Sequence, residues 1–472
     1  MALTTENLIV PNLGPRTIRS PLQLSTVDGD GLGNFVPDAA RILYDIERIP
    51  GKNGKGSRGD AETRSEKVEE APGQTPRDEL TLEKAGPREH IFFDPKTTKA
   101  AIVTCGGLCP GLNNVIRSTF LELYHRYGVR EVLGIRYGYQ GLNRETGKPP
   151  LRLTPEIVDH IHTQGGTILG SSRGPQDPAT VVDFLQREGV QILFCVGGDG
   201  TQRGAHQIAV EAQRRSAALA VVGIPKTIDN DLPFVWRSFG YSTALEKARE
   251  VIDAAHIEAR GAWNGIGLVK LMGRDAGFIA AGATLASQEV NFTLIPEVPF
   301  PLEGAEGLLE TLKRRVAARQ HAVVVVAEGA GQHQIPGDRM ERDASGNLRL
   351  HDVGLFLKDR IVAYFKGEGM SCNLRYMDPS YLIRSVPANS DDALLCDALA
   401  RNAVHAAMAG KTDVLLGLIH TAFIHVPLPM VAESKKRLSP VGEMWMGVLE
   451  ATGQPHWCQE VGSGQLAVGS VR

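Results

Sequence analysis

The sequence predicts an α/β protein made of two doubly wound, Rossmann-like units with a cleft between them, plus an N-terminal extension. Three observations lead there. Short β-branched runs alternate with helical stretches. The runs are apolar almost without a break, which suits parallel sheets covered on both faces rather than strands with one wet side. The chain has 472 residues, more than one core holds at roughly 100–200 residues per domain.

In chain order, residues 1–90 are assigned to the extension. Its stretch 51–90 is rich in Gly, Pro and charge with little apolar periodicity, so a mobile loop or linker is expected there and the compact body is expected to start near Ile91. Strands are expected at AAIVTC (100–105), ILFCVGG (192–198), LAVVGIP (219–225), GIGLVKLMG (265–273) and AVVVVAEG (322–329). Helices between them have recognisable signals: Thr154 before Pro155 and Glu156 reads as a start, and 302–320 as an amphipathic body. One unit is expected to hold 91–240 and about 386–430, the other 241–385, with a C-terminal extension over 431–472. In such folds the cleft opens at the carboxyl ends of the strands, so the active site is expected there. No fixed-period repeat is visible.

Composition narrows the function. Hydrophobic residues make up 42% and charged residues 22%, with 51 Lys+Arg against 54 Asp+Glu, which disfavours nucleic acid as a partner. The six cysteines are scattered; Cys105 and Cys109 lack a second ligand pair for a metal site, and reduced thiols are the simpler reading. MALTTENLIV at the N-terminus has no basic leader or long apolar core, no apolar run of membrane length occurs, and the C-terminal GSVR is no peroxisomal address, so a cytoplasmic protein without a membrane is expected. DGDGLG (28–33) resembles the start of a calcium loop, but its twelfth position is Ala39. No GxxxxGK[ST] phosphate loop is present.

Three glycine turns are read as following strands: Gly106 to Gly111, Gly165 to Gly170 with Ser171, Ser172 and Arg173 after it, and Gly197 to Thr201. Glycine lets backbone amides approach phosphate oxygens, and a following helix start adds positive dipole. One such turn has conformational reasons enough to exist; three together point to phosphate. Asp199 inside the third turn would repel phosphate unless a divalent cation bridges them, so Mg²⁺ is expected at Asp199; capping a helix that begins near Thr201 is its bland alternative. Arg173 suits phosphate oxygens, or is a surface charge.

The run GIPKTIDND (223–231) follows a strand and sets Thr227, Asp229 and Asp231 at alternating positions, so that three oxygen-bearing side chains can face one cleft. Carboxylates beside Lys226 offer a base, a metal-side charge and a counter-ion, which fits deprotonating a hydroxyl for attack on phosphorus. A local turn built on Asn230 and Asp231 remains open.

With these motifs in order, GGLCPGLN, GSSRGP, GGDGT, PKTIDND, LMGRDAGF, AEGAG and PSYLIRS, the sequence resembles the phosphofructokinase family over about residues 90–425. GGDGT together with PKTIDND looks like the longer ATP-dependent members of the pyrophosphate-type branch, found in plants and trypanosomes. The resemblance implies transfer of the terminal phosphate of Mg²⁺-bound ATP to the C1 hydroxyl of fructose 6-phosphate. It makes Asp229 the base, with Thr227, Asp231 and Arg274 beside it. The first unit becomes the nucleotide-binding domain, with Gly107, Arg173, Gly174, Gly198, Asp199, Gly200 and Thr201 along the phosphates and Asp199 handling Mg²⁺. The second becomes the sugar-phosphate domain. Thr227, Ile228, Asp229, Met272, Gly273, Arg274 and Glu328 would hold the sugar, and Arg375, Tyr381, Leu382, Ile383 and Arg384 the 6-phosphate; for Met272 a core role and for Glu328 a strand-end role are the plain alternatives. A homotetramer or homodimer is implied, sometimes with an arginine reaching in from a neighbouring subunit.

The family also implies a test of the donor. Pyrophosphate users carry Asp after the metal aspartate and ATP users carry glycine; here it is Gly200. Lys226, by contrast, is the residue with which pyrophosphate enzymes contact their donor. Gly200 carries more weight, because ATP needs the absent side chain whereas a lysine can move. Gly265 stands where short bacterial members have a further 6-phosphate arginine. A pyrophosphate-dependent enzyme, a kinase for another acceptor, and a non-catalytic sugar-phosphate-binding subunit are the alternatives; the last predicts a lost base, yet Asp229 is present.

Overall fold

A computed structural model describes residues 4–45, 80–337, 348–432 and 435–457. Most of the expected loop, 51–79, and the last residues of the C-terminal extension lie outside the described residues.

All five expected strands are present, as Lys99–Thr104, Ile192–Gly197, Ala220–Pro225, Gly265–Leu271 and His321–Ala327. Two sheets hold them. The larger runs Arg41–Leu43, Thr81–Lys84, Ala422–Pro427, Val414–Ile419, Ala220–Pro225, Ile192–Gly197, Lys99–Thr104, Glu131–Ile135, Leu151–Arg152. Its five central strands, from Val414–Ile419 to Glu131–Ile135, are parallel and the flanking ones antiparallel. The smaller sheet is wholly parallel, in the order Phe292–Leu294, His321–Ala327, Gly265–Leu271, Asn373–Met377.

Period-2 alternation sends successive residues to different cores. Ala100 and Ile102 face the helices Leu112–Leu121 and Ser390–Met408, while Ala101 and Val103 face Pro178–Arg187 and Asp199–Arg214. In the smaller sheet, Val323 and Val325 join the same central core as Tyr241–Gly261 and Phe278–Ser287, whereas Val324 and Val326 pack on Leu308–Arg319 and Val353–Gly367. Each sheet is thus covered on both faces, and one central core joins the two units.

The structure departs from expectation in four places. Ordered sheet begins before Ile91: Thr81–Lys84 pairs with Ala422–Pro427, Leu80 and Leu82 are fully buried, and Ile18–Arg19 pairs with His90–Ile91. The second glycine turn follows a 3₁₀ turn, Ile161–Thr163, rather than a strand. Thr154 does cap a helix, its hydroxyl accepting the Ile157 N–H, but that helix spans only Pro155–Val158. The helix expected over 302–320 starts at Leu308, because Gly304 holds a positive φ of 94° and Gly307 serves as its N-cap.

Candidate active site

Five strand ends converge on one cavity of about 620 Å³. Gly106 and Gly107 follow Lys99–Thr104, Gly198 to Thr201 follow Ile192–Gly197, and Lys226 to Asp231 follow Ala220–Pro225; Met272 and Glu328 reach it from the smaller sheet. The site therefore occupies the carboxyl ends of strands from both sheets.

The first turn draws two guanidinium groups: a Cβ at Gly107 would lie 3.5 Å from Arg384 Nη1 and 3.7 Å from Arg173 Nη2. Ser171 ties the second turn to the first through its hydroxyl, which donates to Gly106 O at 2.6 Å. Lys226, nearly buried, donates from Nζ to Gly107 O at 2.5 Å, and burial pushes its pKa below the usual lysine range.

In the third turn Gly198 is the N-cap of the helix Asp199–Arg214, so Asp199 stands in its first turn and does not cap it. Its Oδ2 lies 3.2 Å from Arg203, one turn on, while Oδ1 is buried with no hydrogen-bond partner among the described residues. Burial raises the Asp199 pKa. A Cβ at Gly200 would meet nothing within 4 Å.

The acidic loop is folded by its own side chains. Thr227 donates from Oγ1 to Asp231 Oδ1 at 2.8 Å and accepts the Asp229 N–H at 3.1 Å. Asn230, at φ 54°, turns away to receive the Ser238 N–H at 3.0 Å, and Ser238 donates to Thr227 O at 2.6 Å. The local turn and the cleft-facing set are thus both real. Asp229 Oδ1 is buried and has no hydrogen-bond partner among the described residues. Its pKa stands well above the ordinary carboxylate range, first through burial and then through Asp231 and Glu328, with Arg274 opposing. Burial likewise raises Glu328.

Comparison with known proteins decides the family. The phosphofructokinase family profile matches residues 99–407. An ATP-dependent 6-phosphofructokinase of Borreliella burgdorferi is 51% identical over 452 residues, covering 94% of this chain and 96% of that one. The chain belongs to the phosphofructokinase family. ATP-dependent 6-phosphofructokinase 7 of Arabidopsis thaliana is 48% identical, covering 79% of this chain and 76% of its own. Among solved structures, the pyrophosphate-dependent phosphofructokinase of Marinobacter aquaeolei superposes with a TM-score of 0.63 at 20% identity, over 75% of this chain and 91% of that one, which speaks to the fold alone.

Within this phosphofructokinase-family site, most of the residues singled out in the sequence line the cavity. They include Arg173, Gly174, Asp199, Gly200, Thr201 and Lys226 on the larger sheet's side, and Met272, Arg274, Glu328 and Arg384 elsewhere. Thr227, Ile228, Asp229 and Asp231 line it as one run. Others stand apart. Gly273, at φ 132°, is a bend in which a Cβ would lie 2.7 Å from Ala276 O. Arg375 is half-exposed on the sheet-edge strand, 4.0 Å from Glu258. Tyr381 and Leu382 are exposed, the Tyr381 ring carrying the Arg384 guanidinium at 4.7 Å, and Ile383 is fully buried. At Gly265 a Cβ would come within 2.0 Å of Ala259 O, so no arginine fits there.

Sequence reasoning missed Arg203, Asp275 and Lys435, which also line the cavity. Arg203 was findable as the i+4 partner of Asp199 and Asp275 as the neighbour of Arg274; Lys435 carries no local signal.

Mg²⁺ fits the donor set. No group of three or more His, Cys, Asp or Glu residues among the described ones could cage a metal, but Mg²⁺ needs only one or two carboxylates when phosphates and water complete its shell. Asp199 offers a buried, unpartnered oxygen for that purpose.

Proposed function

We propose that the chain transfers the terminal phosphoryl group of ATP to the C1 hydroxyl of fructose 6-phosphate, giving fructose 1,6-bisphosphate and ADP, with Asp229 as the general base. The 48–51% identity to ATP-dependent 6-phosphofructokinases supports the reaction. The observation that carries the residue assignment is the proton-avid carboxylate of Asp229, whose buried Oδ1 has no hydrogen-bond partner among the described residues, at the meeting of the two units.

Asp229 takes the C1 hydroxyl proton as that oxygen attacks the terminal phosphorus. The bond from phosphorus to the bridging oxygen breaks, and its electron pair leaves with ADP. Thr227 fixes the loop that aims Asp229. Arg173 and Arg384, converging on the Gly107 turn, supply cationic clamps for phosphate oxygens. Asp199 would hold Mg²⁺, which when bound neutralises phosphate charge. Met272, Arg274 and Glu328 are assigned to the sugar. Arg384, with Arg375, Tyr381, Leu382 and Ile383 outside the cavity lining, is assigned to the 6-phosphate end. A homodimer or homotetramer in the cytoplasm is part of the same reading; no described helix is long and apolar enough to cross a membrane.

The test is turnover of fructose 6-phosphate by the purified protein with ATP or with pyrophosphate, the product identified by phosphorus NMR. Formation of fructose 1,6-bisphosphate with ATP is expected. Turnover with pyrophosphate alone would overturn the donor assignment.

A further inference from the structure

The segment around Lys435 spans the two sides of the cleft. The Lys436 N–H donates to Asp231 O at 2.9 Å, and its own ammonium, pushed down to about 8 by burial, donates to Val235 O at 2.8 Å and Trp236 O at 3.1 Å. Two residues on, the Leu438 N–H donates to Glu297 Oε1 at 2.8 Å, and both Glu297 oxygens accept the Gly277 N–H at 3.0 Å. Asp231 belongs to the loop after the larger sheet's Ala220–Pro225 strand, whereas Gly277 is the N-cap of the helix Phe278–Ser287 that follows the smaller sheet's Gly265–Leu271. The chain is therefore pinned to both units within three residues.

Lys435 stands at the start of this strap and lines the cavity. Its ammonium pairs with Asp275, and it lines the same cavity as Asp199 and Arg203. Asp231 and Asp275 line it as well, so Lys435 is a cation set among carboxylates in the cavity that holds the candidate Mg²⁺ ligand. Its side chain is 40% exposed. An exposed ion pair of this kind is weakly held, and a lysine on a four-carbon stem exchanges it readily for a phosphate oxygen. Because Lys435 and Asp199 line one cavity, a donor phosphate whose metal Asp199 would hold could meet the Lys435 ammonium there.

We infer that Lys435 is a ligand of the donor's terminal phosphate, which makes the C-terminal segment part of the transfer site; this rests on the reading of the cavity as a phosphoryl-transfer centre. ATP and ADP differ by the group in question, so the pair isolates it. Titration of sugar-free enzyme by calorimetry with Mg²⁺ and either nucleotide is the experiment, on wild type, Lys435→Met and Lys435→Arg. In Lys435→Met, ATP affinity is expected to fall about tenfold or more, with ADP affinity and the KM for fructose 6-phosphate changed less than about twofold, and Lys435→Arg is expected to restore most of the loss. Equal losses for ATP and ADP, or no loss, would overturn the inference. So would a lowered Tm with a rise in KM for both substrates, which marks a strap anchor only. Should Lys435→Met not fold, Lys435→Gln carries the same comparison. The ATP and ADP affinities are read without turnover, so inactivity of the wild type would count against the proposed reaction and not against Lys435.

Discussion

Lys226 gives its buried ammonium to the carbonyl oxygen of Gly107, 2.5 Å away. The lysine thus holds the first glycine turn by its backbone, even though it also lines the cavity. The residue that speaks for pyrophosphate in the sequence has a positioning task that is independent of the donor. Gly200, whose Cβ would project into open space, keeps room beside Asp199.

Gly200→Asp is therefore expected to abolish ATP use while leaving the fold intact. A Cβ at this position meets no protein atom within 4 Å, and an acidic residue in the first turn of a helix is electrostatically favourable. Unchanged ATP kinetics with an unchanged Tm would contradict the donor assignment.

The pH dependence follows from Asp229. Burial first, then Asp231 and Glu328, hold its pKa above the ordinary carboxylate range, so the proton-accepting form is present only above that raised value. The acid limb of kcat/KM is expected well above the unperturbed Asp value of about 3.9. A profile that stays flat down to that value would remove Asp229 from the role.

Away from the site, Glu83 is the centre of a buried charge network. Its Oε2 accepts from Lys411 Nζ at 2.8 Å, and its Oε1 lies 2.9 Å from Arg88 and 3.1 Å from His425 Nδ1. Burial alone would raise its pKa, but hydrogen bonds and charge from His425 and Lys411 outweigh it and hold the carboxyl far below the usual range. A depressed folded-state pKa contributes stability above the unfolded value, lost as pH falls below about 4.3. Glu83→Ala leaves buried cations uncompensated and is expected to cost about 3–5 kcal/mol, read by denaturant titration. A loss under about 1 kcal/mol would contradict the network's role.

Glu297 makes a second stability test. Glu297→Ala strands the Gly277 and Leu438 amides, both bonded to it, at an expected cost of about 1–3 kcal/mol. An unchanged midpoint would show that water replaces the carboxylate.

These residues also show what the sequence makes legible. The strands 100–105, 192–198, 219–225, 265–273 and 322–329 stand out because burial on both faces makes them continuously apolar. Thr81–Lys84 reads TLEK and hides, since its place depends on Glu83 meeting Lys411 and His425 from the far end of the chain. The loop Thr227 to Asp231 was legible because its spacing alone turns three oxygens to one side, and the bonds of the Thr227 hydroxyl then fix it. Lys435 was not, because the bond between Lys436 and Asp231 that places it joins residues about 200 positions apart.

The most direct measurement is kcat for Asp229→Asn with ATP and fructose 6-phosphate. The substitution keeps the shape and the Thr227 bond to the backbone N–H while removing the proton acceptor. A fall of at least about 100-fold with KM little changed is expected of a group that acts in the transition state. A variant with near-normal kcat would contradict the account.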